Sequence, residues 1–317
     1  MFKMNFKIVF GTDTKYRITA VESIKIAESV ESIISTAEIT LPGRPKGDSI
    51  KSGDEIRIWL WYDDNEPLLE FEGFIKEFSD NGSKYVLYCE NEVYKLRKSR
   101  MENAEYKKVK LSDLLQKIAS ASGLKVESDY EFDYDSFAVQ NASAYQVLKQ
   151  LKTDTPSHVF IKSGVLHVHL PFSLDFGSAI YDTRVNIDKD GYGLTFQTKD
   201  QRKVRVVYKG KDKDGNQIQS GVKGSPDGDI VTMDFKGVTT EETLNRLAEE
   251  HANAKMFDGV EGSFTGWLYP VCHAGFKADM RFSMQPERNG VYYVSAVETS
   301  FDSSGAKRKI TLSKKLS

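Results

Sequence analysis

Residues 50–60 read IKSGDEIRIWL, and residues 271–284 read VCHAGFKADMRFSM. Both have an apolar lead-in and a glycine (Gly53, Gly275), then alternate at the same offsets. Ile56, Ile58 and Leu60 stand where Ala278, Met280 and Phe282 stand. Alternation with period two puts such residues on one face of a strand. After a gap, the first stretch continues as FEGFIKEFSDNGSKYVLYCE from residue 71. The second continues as NGVYYVSAVETSFDSSGAKRKITLSKKL from residue 289. Each passes a second glycine (Gly73, Gly290), a strand, a polar turn ending in Gly82 or Gly305, and a last strand. The glycine spacings differ and identity is low. The pattern predicts one β-module used twice.

Working outward, residues 1–100 read as β. Phe6, Ile8 and Phe10 alternate with polar neighbours, and so do Ile24 and Ile26. Residues 28–40 (ESVESIISTAEIT) suit a helix as well as a strand, and Pro42, Gly43 and Pro45 then break regular structure. SDNG at 79–82 is a hairpin signal, because Asn-Gly tolerates the positive φ of a tight turn. Near Arg100 the character changes. Residues 109–123 (VKLSDLLQKIASASG) predict a helix with Ser112 as N-cap and Gly123 as its stop. Residues 141–156 predict a second helix capped by Ser143, and HVFIKSGVLHVHL at 158–170 a hairpin around Ser163-Gly164. This order makes residues 101–171 a small α+β domain. From Phe172 the chain is β again, with KVRVVYKG and NQIQSGVK flanking the turn KDKDGN. One helix, with a capping box from Thr239 to Glu242, reads as an insertion around 238–258 in a β domain spanning 172–317.

The 317 residues fit two or three domains. An apolar share of 39% supports real cores, and a mean hydropathy of -0.45 a well-solvated surface. The 44 Lys+Arg nearly cancel the 46 Asp+Glu, so no global charge points to nucleic acid or an anionic membrane. Cys89 and Cys272 sit in strand-like runs and read as reduced core residues. No apolar run approaches the roughly 18–20 residues of a membrane helix. MFKMNFKIVFG reads as a first strand and not a signal peptide, which leads to the expectation that the chain stays in a cytoplasm until assembled.

Chemistry is sparse. His167 and His169 lie two apart on a strand, on one face, with His158 opposite; they are weak zinc candidates, lacking further ligands at metal spacing. The simpler reading is an exposed hairpin face backed by Leu166, Val168 and Leu170. DKDGN from Asp212 resembles the start of a calcium loop but lacks its later ligands, so it reads as a hairpin turn. Cys272 and His273, adjacent on a strand, point to opposite faces and cannot act as a nucleophile–base pair. DYEFDYD from Asp129 could be a sugar-binding loop, but a packed crossing suits it better. No phosphate loop, G-x-S-x-G or H-E-x-x-H occurs. In the basic AKRKITLSKK the charges read as a solvated face, with Ile310 and Leu312 inward. The expectation is therefore no enzyme, no catalytic residues and no cofactor.

The ordered set resembles the baseplate hub proteins of contractile-tailed bacteriophages, the late control protein D type, related to the hub part of valine-glycine-repeat spike proteins. IKSGDEIRIWL, FEGFIKEF and KYVLYCENEVYKLRKS carry the likeness in the first region. VKLSDLLQKIASASGLKV and SAYQVLKQL…HVFIKSGVLHV carry it in the second, and NGVYYVSAVETSFDSSGAKRKITLSKKL in the third. The resemblance implies a mainly β fold with α+β insertions: a tube-type β-barrel over 1–100, the small α+β domain over 101–171, and a second barrel over 172–317. It implies a homotrimer whose six barrels join a six-fold tail tube protein to a three-fold central spike protein, among other baseplate proteins. It further implies a virion tail component assembled in the bacterial host cytoplasm, without sequence-specific nucleic-acid binding or membrane insertion. No repeat-rich β-helix follows the presumed second barrel, so the spike is expected to be a separate protein. A tail-tip protein of a non-contractile phage, and a carbohydrate-active enzyme using the acidic tyrosine-rich loops, are the alternatives.

Overall fold

The computed structural model describes residues 3–45, 50–211, 216–235, 237 and 240–317. Its first part holds β1 (Met4–Phe10), β2 (Tyr16–Ile18), β3 (Ser23–Ser29), β4 (Thr36–Leu41), β5 (Glu55–Tyr62), β6 (Leu68–Asp80) and β7 (Tyr85–Glu90). Alternation sets the buried face: Ile56, Ile58 and Leu60 of β5 share one core with Ile8, Ile24, Ile39, Phe71 and Leu87. Each such side chain contributes about 1.5–3 kcal/mol by leaving water. The ambiguous stretch 28–40 resolves into the end of β3, a turn and β4. The turn after β6 contains Gly82 at φ 85°, as its Asn-Gly pair foretold.

A short helix, α1 (Val93–Lys98), leads into the α+β part: β8 (Ala104–Lys110), α2 (Leu111–Ser122), β9 (Lys125–Ser128), β10 (Asp133–Val139), α3 (Ala144–Asp154), β11 (His158–Lys162) and β12 (Val165–His169). The helix α2 starts one residue before Ser112, with Lys110 at the cap position. Its first amide, Leu111 N–H, donates to the Phe132 carbonyl at 2.7 Å, so a tertiary partner does what the expected serine cap would do. The other two signals hold: Gly123 ends α2 at φ 71°, and Ser143 forms a capping box with Gln146 on α3.

The last part holds β13 (Ser178–Asp182), β14 (Ile187–Gln197), β15 (Val204–Lys211), β16 (Gln217–Gln219), β17 (Lys223–Gly224), β18 (Asp229–Asp234), α4 (Glu241–Lys255), β19 (Gly259–Trp267), β20 (Lys277–Arg281), β21 (Gly290–Asp302) and β22 (Gly305–Lys315). The inserted unit is larger than the sequence suggested. β15–β18 form their own sheet. Val206, Tyr208, Phe235, Leu244, Leu247 and Ala248 join a core with Ile118, Tyr134, Leu148 and Leu166. The insertion thus packs with the α+β part. Thr240 caps α4 by accepting from Thr243 N–H. The expected cap, Thr239, lies outside the described residues, as do residues 212–215 of the predicted turn.

The repeat appears in the strand order. Neighbouring strands run β1-β5-β6-β7-β4-β3 in the first module and β13-β20-β21-β22-β19-β14 in the second. With β2 set aside, the two modules have one chain order and one spatial order. They differ in one orientation: β1 is antiparallel to β5, whereas β13 is parallel to β20. The lead glycines match in detail. Gly53 N–H donates to Ile75 O (2.8 Å) and Ile75 N–H to Asp54 O (2.9 Å). Gly275 N–H donates to Val294 O and Val294 N–H to Phe276 O, both at 2.9 Å. Both glycines have positive φ, 98° and 86°. A bulge then follows in each module, between Ile75 and Glu77 and between Val294 and Ala296. The second glycines do not match. Gly73 faces Ile56, the place Tyr292 takes opposite Ala278, while Gly290 faces Met280. Gly73 is needed for close approach, since a Cβ there would stand 2.3 Å from the Glu90 carbonyl oxygen.

The second half of β21 pairs with β3, from Ala296↔Ser29 to Phe301↔Ile24. A thirteen-stranded sheet therefore runs through both modules. Each module keeps its own core, the second around Tyr181, Phe264, Met280, Val294 and Ile310.

Candidate functional site at the module junction

Chemistry-bearing side chains converge where the modules meet. Arg308, on β22, is 0% exposed and Glu70, on β6, 1%. The guanidinium grips the carboxylate with both ends, Nη2 to Oε1 at 2.6 Å and Nη1 to Oε2 at 2.8 Å. Its remaining donors reach the Leu268 carbonyl (3.1 Å), the Cys272 carbonyl (3.3 Å) and Thr299 Oγ1 (3.2 Å). A buried ion pair survives desolvation only when it is satisfied in this way. Tyr62 of β5 also donates its hydroxyl to the Ala306 carbonyl across the junction. The sequence reading had placed the charges of AKRKITLSKK mostly on a solvated face. Arg308 corrects it: two residues before Ile310, it shares the inward face.

A second bridge lies beside the first. His273 Nδ1 meets Glu28 Oε1 at 2.8 Å, and Ala274 N–H donates to the same oxygen at 3.1 Å. Burial alone would raise the Glu28 pKa. The His273 hydrogen bond and charge, helped by Lys162 and the Ala274 amide, outweigh it and hold the carboxyl at about 2. Cys272 points the other way. Burial pushes its thiol up to about 11 and that of Cys89 up to about 12, so neither is a ready nucleophile.

Across the junction the outer sheet face forms a groove of about 770 Å³, where Lys25, Lys76, Arg97, Lys307 and Lys309 stand among Glu38, Glu77, Glu90 and Glu298. The signs are interleaved: Lys309 meets Glu298 at 3.4 Å and Arg97 meets Glu90 at 3.2 Å. Such a surface is wetted and nearly balanced.

The histidines occupy a different place. His167 Nδ1 and His169 Nε2 stand 3.3 Å apart, and His158 is opposite His169 in the ladder. Their face of the hairpin is covered. His167 stacks on Phe160 at 4.9 Å, and His158 packs edge-on against Phe172. Burial, joined by neighbouring positive groups, lowers both His158 and His167 to about 4. Among the described residues no group of three His, Cys, Asp or Glu side chains could hold a metal ion. The DYEFDYD run is likewise packed. Tyr130 donates to Glu250 on α4 at 2.6 Å, and Asp129 accepts from Leu170 N–H and Ser173 Oγ, each at 2.8 Å. Among the described residues, no helix is long and apolar enough to cross a membrane.

The sequence matches no family model and no curated protein. Solved structures do match. The chain is similar to the 43 kDa tail protein of prophage MuSo2 from Shewanella oneidensis, at 13% identity and TM-score 0.68, covering 98% of each chain. It is similar to the tail protein from Neisseria meningitidis MC58, at 12% identity and TM-score 0.69, covering 97% of this chain and 96% of the other. It also resembles an Escherichia coli component of the type VI secretion system described as similar to bacteriophage T4 tail proteins. There the identity is 9% and the TM-score 0.59, over 99% of this chain and 77% of the other. Along nearly its whole length, the chain has the fold of these phage tail and secretion-system tail proteins.

Proposed function

We propose that this chain is a structural hub of a phage-type baseplate, a trimer that joins a six-fold tail tube to a three-fold central spike. The observation that carries this reading is the strand order repeated in two modules of one chain. A six-fold partner needs six near-equivalent surfaces, and three copies of a duplicated module supply them. In this reading residues 1–100 and 172–317 are the two tube-type barrels. Residues 101–171 are the small α+β domain, docked with the unit inserted in the second barrel. The fold shared with tail proteins supports the reading. The chain works as a scaffold in the virion tail, with its fully bonded ion pairs and buried thiols in structural roles. Light scattering on the full chain, alone and mixed with a candidate spike protein, tests it. A mass of three chains of 35.8 kDa is expected. A stable monomer in both samples overturns the trimer.

A further inference from the structure

The contact inside the chain shows what a contact between chains would look like. Within the chain, the second half of β21 lies against β3. Strand order makes β6 the counterpart of β21, and β14 the counterpart of β3. Among the described residues, the second half of β6 pairs only with β7, and β14 pairs only with β19. Each chain thus carries one filled junction and the two unfilled halves of another.

The registers fix which residues correspond. The matching bulges set Phe78 opposite Leu87 where Val297 is opposite Ile310. On the other side, Tyr192 is opposite Phe264 and Leu194 opposite Gly262, the places of Ile24 and Ile26 opposite Ile39 and Ala37. Exposure then separates filled from unfilled. Val297, covered by β3, is 1% exposed, whereas Phe78 is 45% exposed. Ile24, covered by β21, is 0% exposed, whereas Tyr192 is 40% exposed. A core-facing aromatic left open on each of two strand edges is an incomplete junction, and open edges recruit strands.

We propose that a second copy of this chain completes it. The Glu77–Asp80 segment of β6 pairs antiparallel with β14 of the next copy, Glu77 opposite Gln197, Phe78 opposite Phe196, Ser79 opposite Thr195 and Asp80 opposite Leu194. Phe78 then packs on the Phe196 and Leu194 side chains, as Val297 packs beside β3. The two surfaces differ, so the contact is head-to-tail, and a closed ring results when its turn matches the internal one. The number of copies rests on the hub reading; the pairing does not.

Cysteine trapping in the full chain tests the pairing. The internal pair Glu298–Ala27 is the reference: Glu298→Cys with Ala27→Cys should oxidise within one chain, leaving the mass unchanged. Ser79→Cys with Thr195→Cys, the equivalent places, should oxidise between chains and yield covalent species that stop at three. A trimer by light scattering with no cross-link at this pair overturns the pairing and leaves the hub reading standing. Cross-linked ladders growing past three keep the pairing and overturn the trimer. A chain that stays monomeric and uncross-linked overturns both. Phe78→Asp should weaken self-association at least tenfold while leaving the monomer's melting midpoint in place. Unaltered association in this variant also counts against the pairing.

Discussion

Arg308 in the second module and Tyr85 in the first hold the same place in the ladder, opposite Thr299 and Asp80. One is a buried guanidinium clamped by a carboxylate of the other module. The other is a phenol stacked on Phe78 at 5.4 Å. The backbone of the module is repeated, down to its positive-φ glycine and its bulge, while the side chains filling it have diverged. What had to stay alike is the path of the strands. What became free to differ is how each module seals its open end, the second against its sister and the first, among the described residues, against no further strand.

The sharpest way to break this comparison is at the clamp. Arg308→Ala leaves Glu70 as an unpaired buried charge and should cost about 3–5 kcal/mol in urea unfolding. Tyr85→Phe, at the matching place, keeps the ring that stacks on Phe78 and should cost far less, at most about 1 kcal/mol. The double change Arg308→Met with Glu70→Leu should recover most of the loss. If Arg308→Ala and Tyr85→Phe cost the same, the junction is not held as described.

Next in size is a pH effect at the second bridge. Glu28 has a folded pKa near 2, below its ordinary 4.5. The unfolded chain therefore binds the proton more readily, and the stability this gives is present above pH 4.5 and lost as pH falls through about 2. The lowering from 4.5 to about 2 is worth about 3 kcal/mol. Glu28→Gln should remove this acid-side slope, as read from melting curves between pH 5 and pH 2. His158 and His167, folded neutral with pKa near 4 against 6.5, act in a higher window. Their contribution is complete above pH 6.5 and falls as pH drops toward 4, so His158→Phe should flatten the curve there.

Smaller effects test the match of the glycines. Gly53→Ala and Gly275→Ala should each lose about 1–2 kcal/mol for a side chain at left-handed φ. Gly275 should lose more, because its Cβ would stand 2.7 Å from the Phe176 ring, whereas at Gly53 the nearest atom is the terminal hydroxyl of Tyr94 at 2.9 Å. Thermal unfolding of both variants measures the difference. Smallest of all, Lys309→Ala in the groove should shift stability by less than about 1 kcal/mol, since its pair with Glu298 is exposed.

Much of the fold was legible in the sequence, and the reasons are physical. Alternation over Ile56–Leu60, the Asn81-Gly82 turn and the Gly123 stop are local signals, and local geometry honours them. Gly73 and Gly290 misled because glycine answers two needs, close backbone approach and open conformation, and spacing does not say which. Arg308 was in plain sight, in step with Ile310 and Leu312, but its partner Glu70 is far away in the chain. The weight of the insertion was hidden for the same reason: Val206, Leu244 and Leu247 show their apolar face, not the core that receives it.

One feature reaches furthest in its effects. Residues 198–258 separate β14 from β19, whereas residues 30–35 suffice between the corresponding β3 and β4. In a closed ring of three chains, the long connection would then recur at every second module, and the short one at its neighbours. The strands would present a hexagon and the rim a triangle. Part of such a change from six-fold to three-fold symmetry would be written into the length of a single connection.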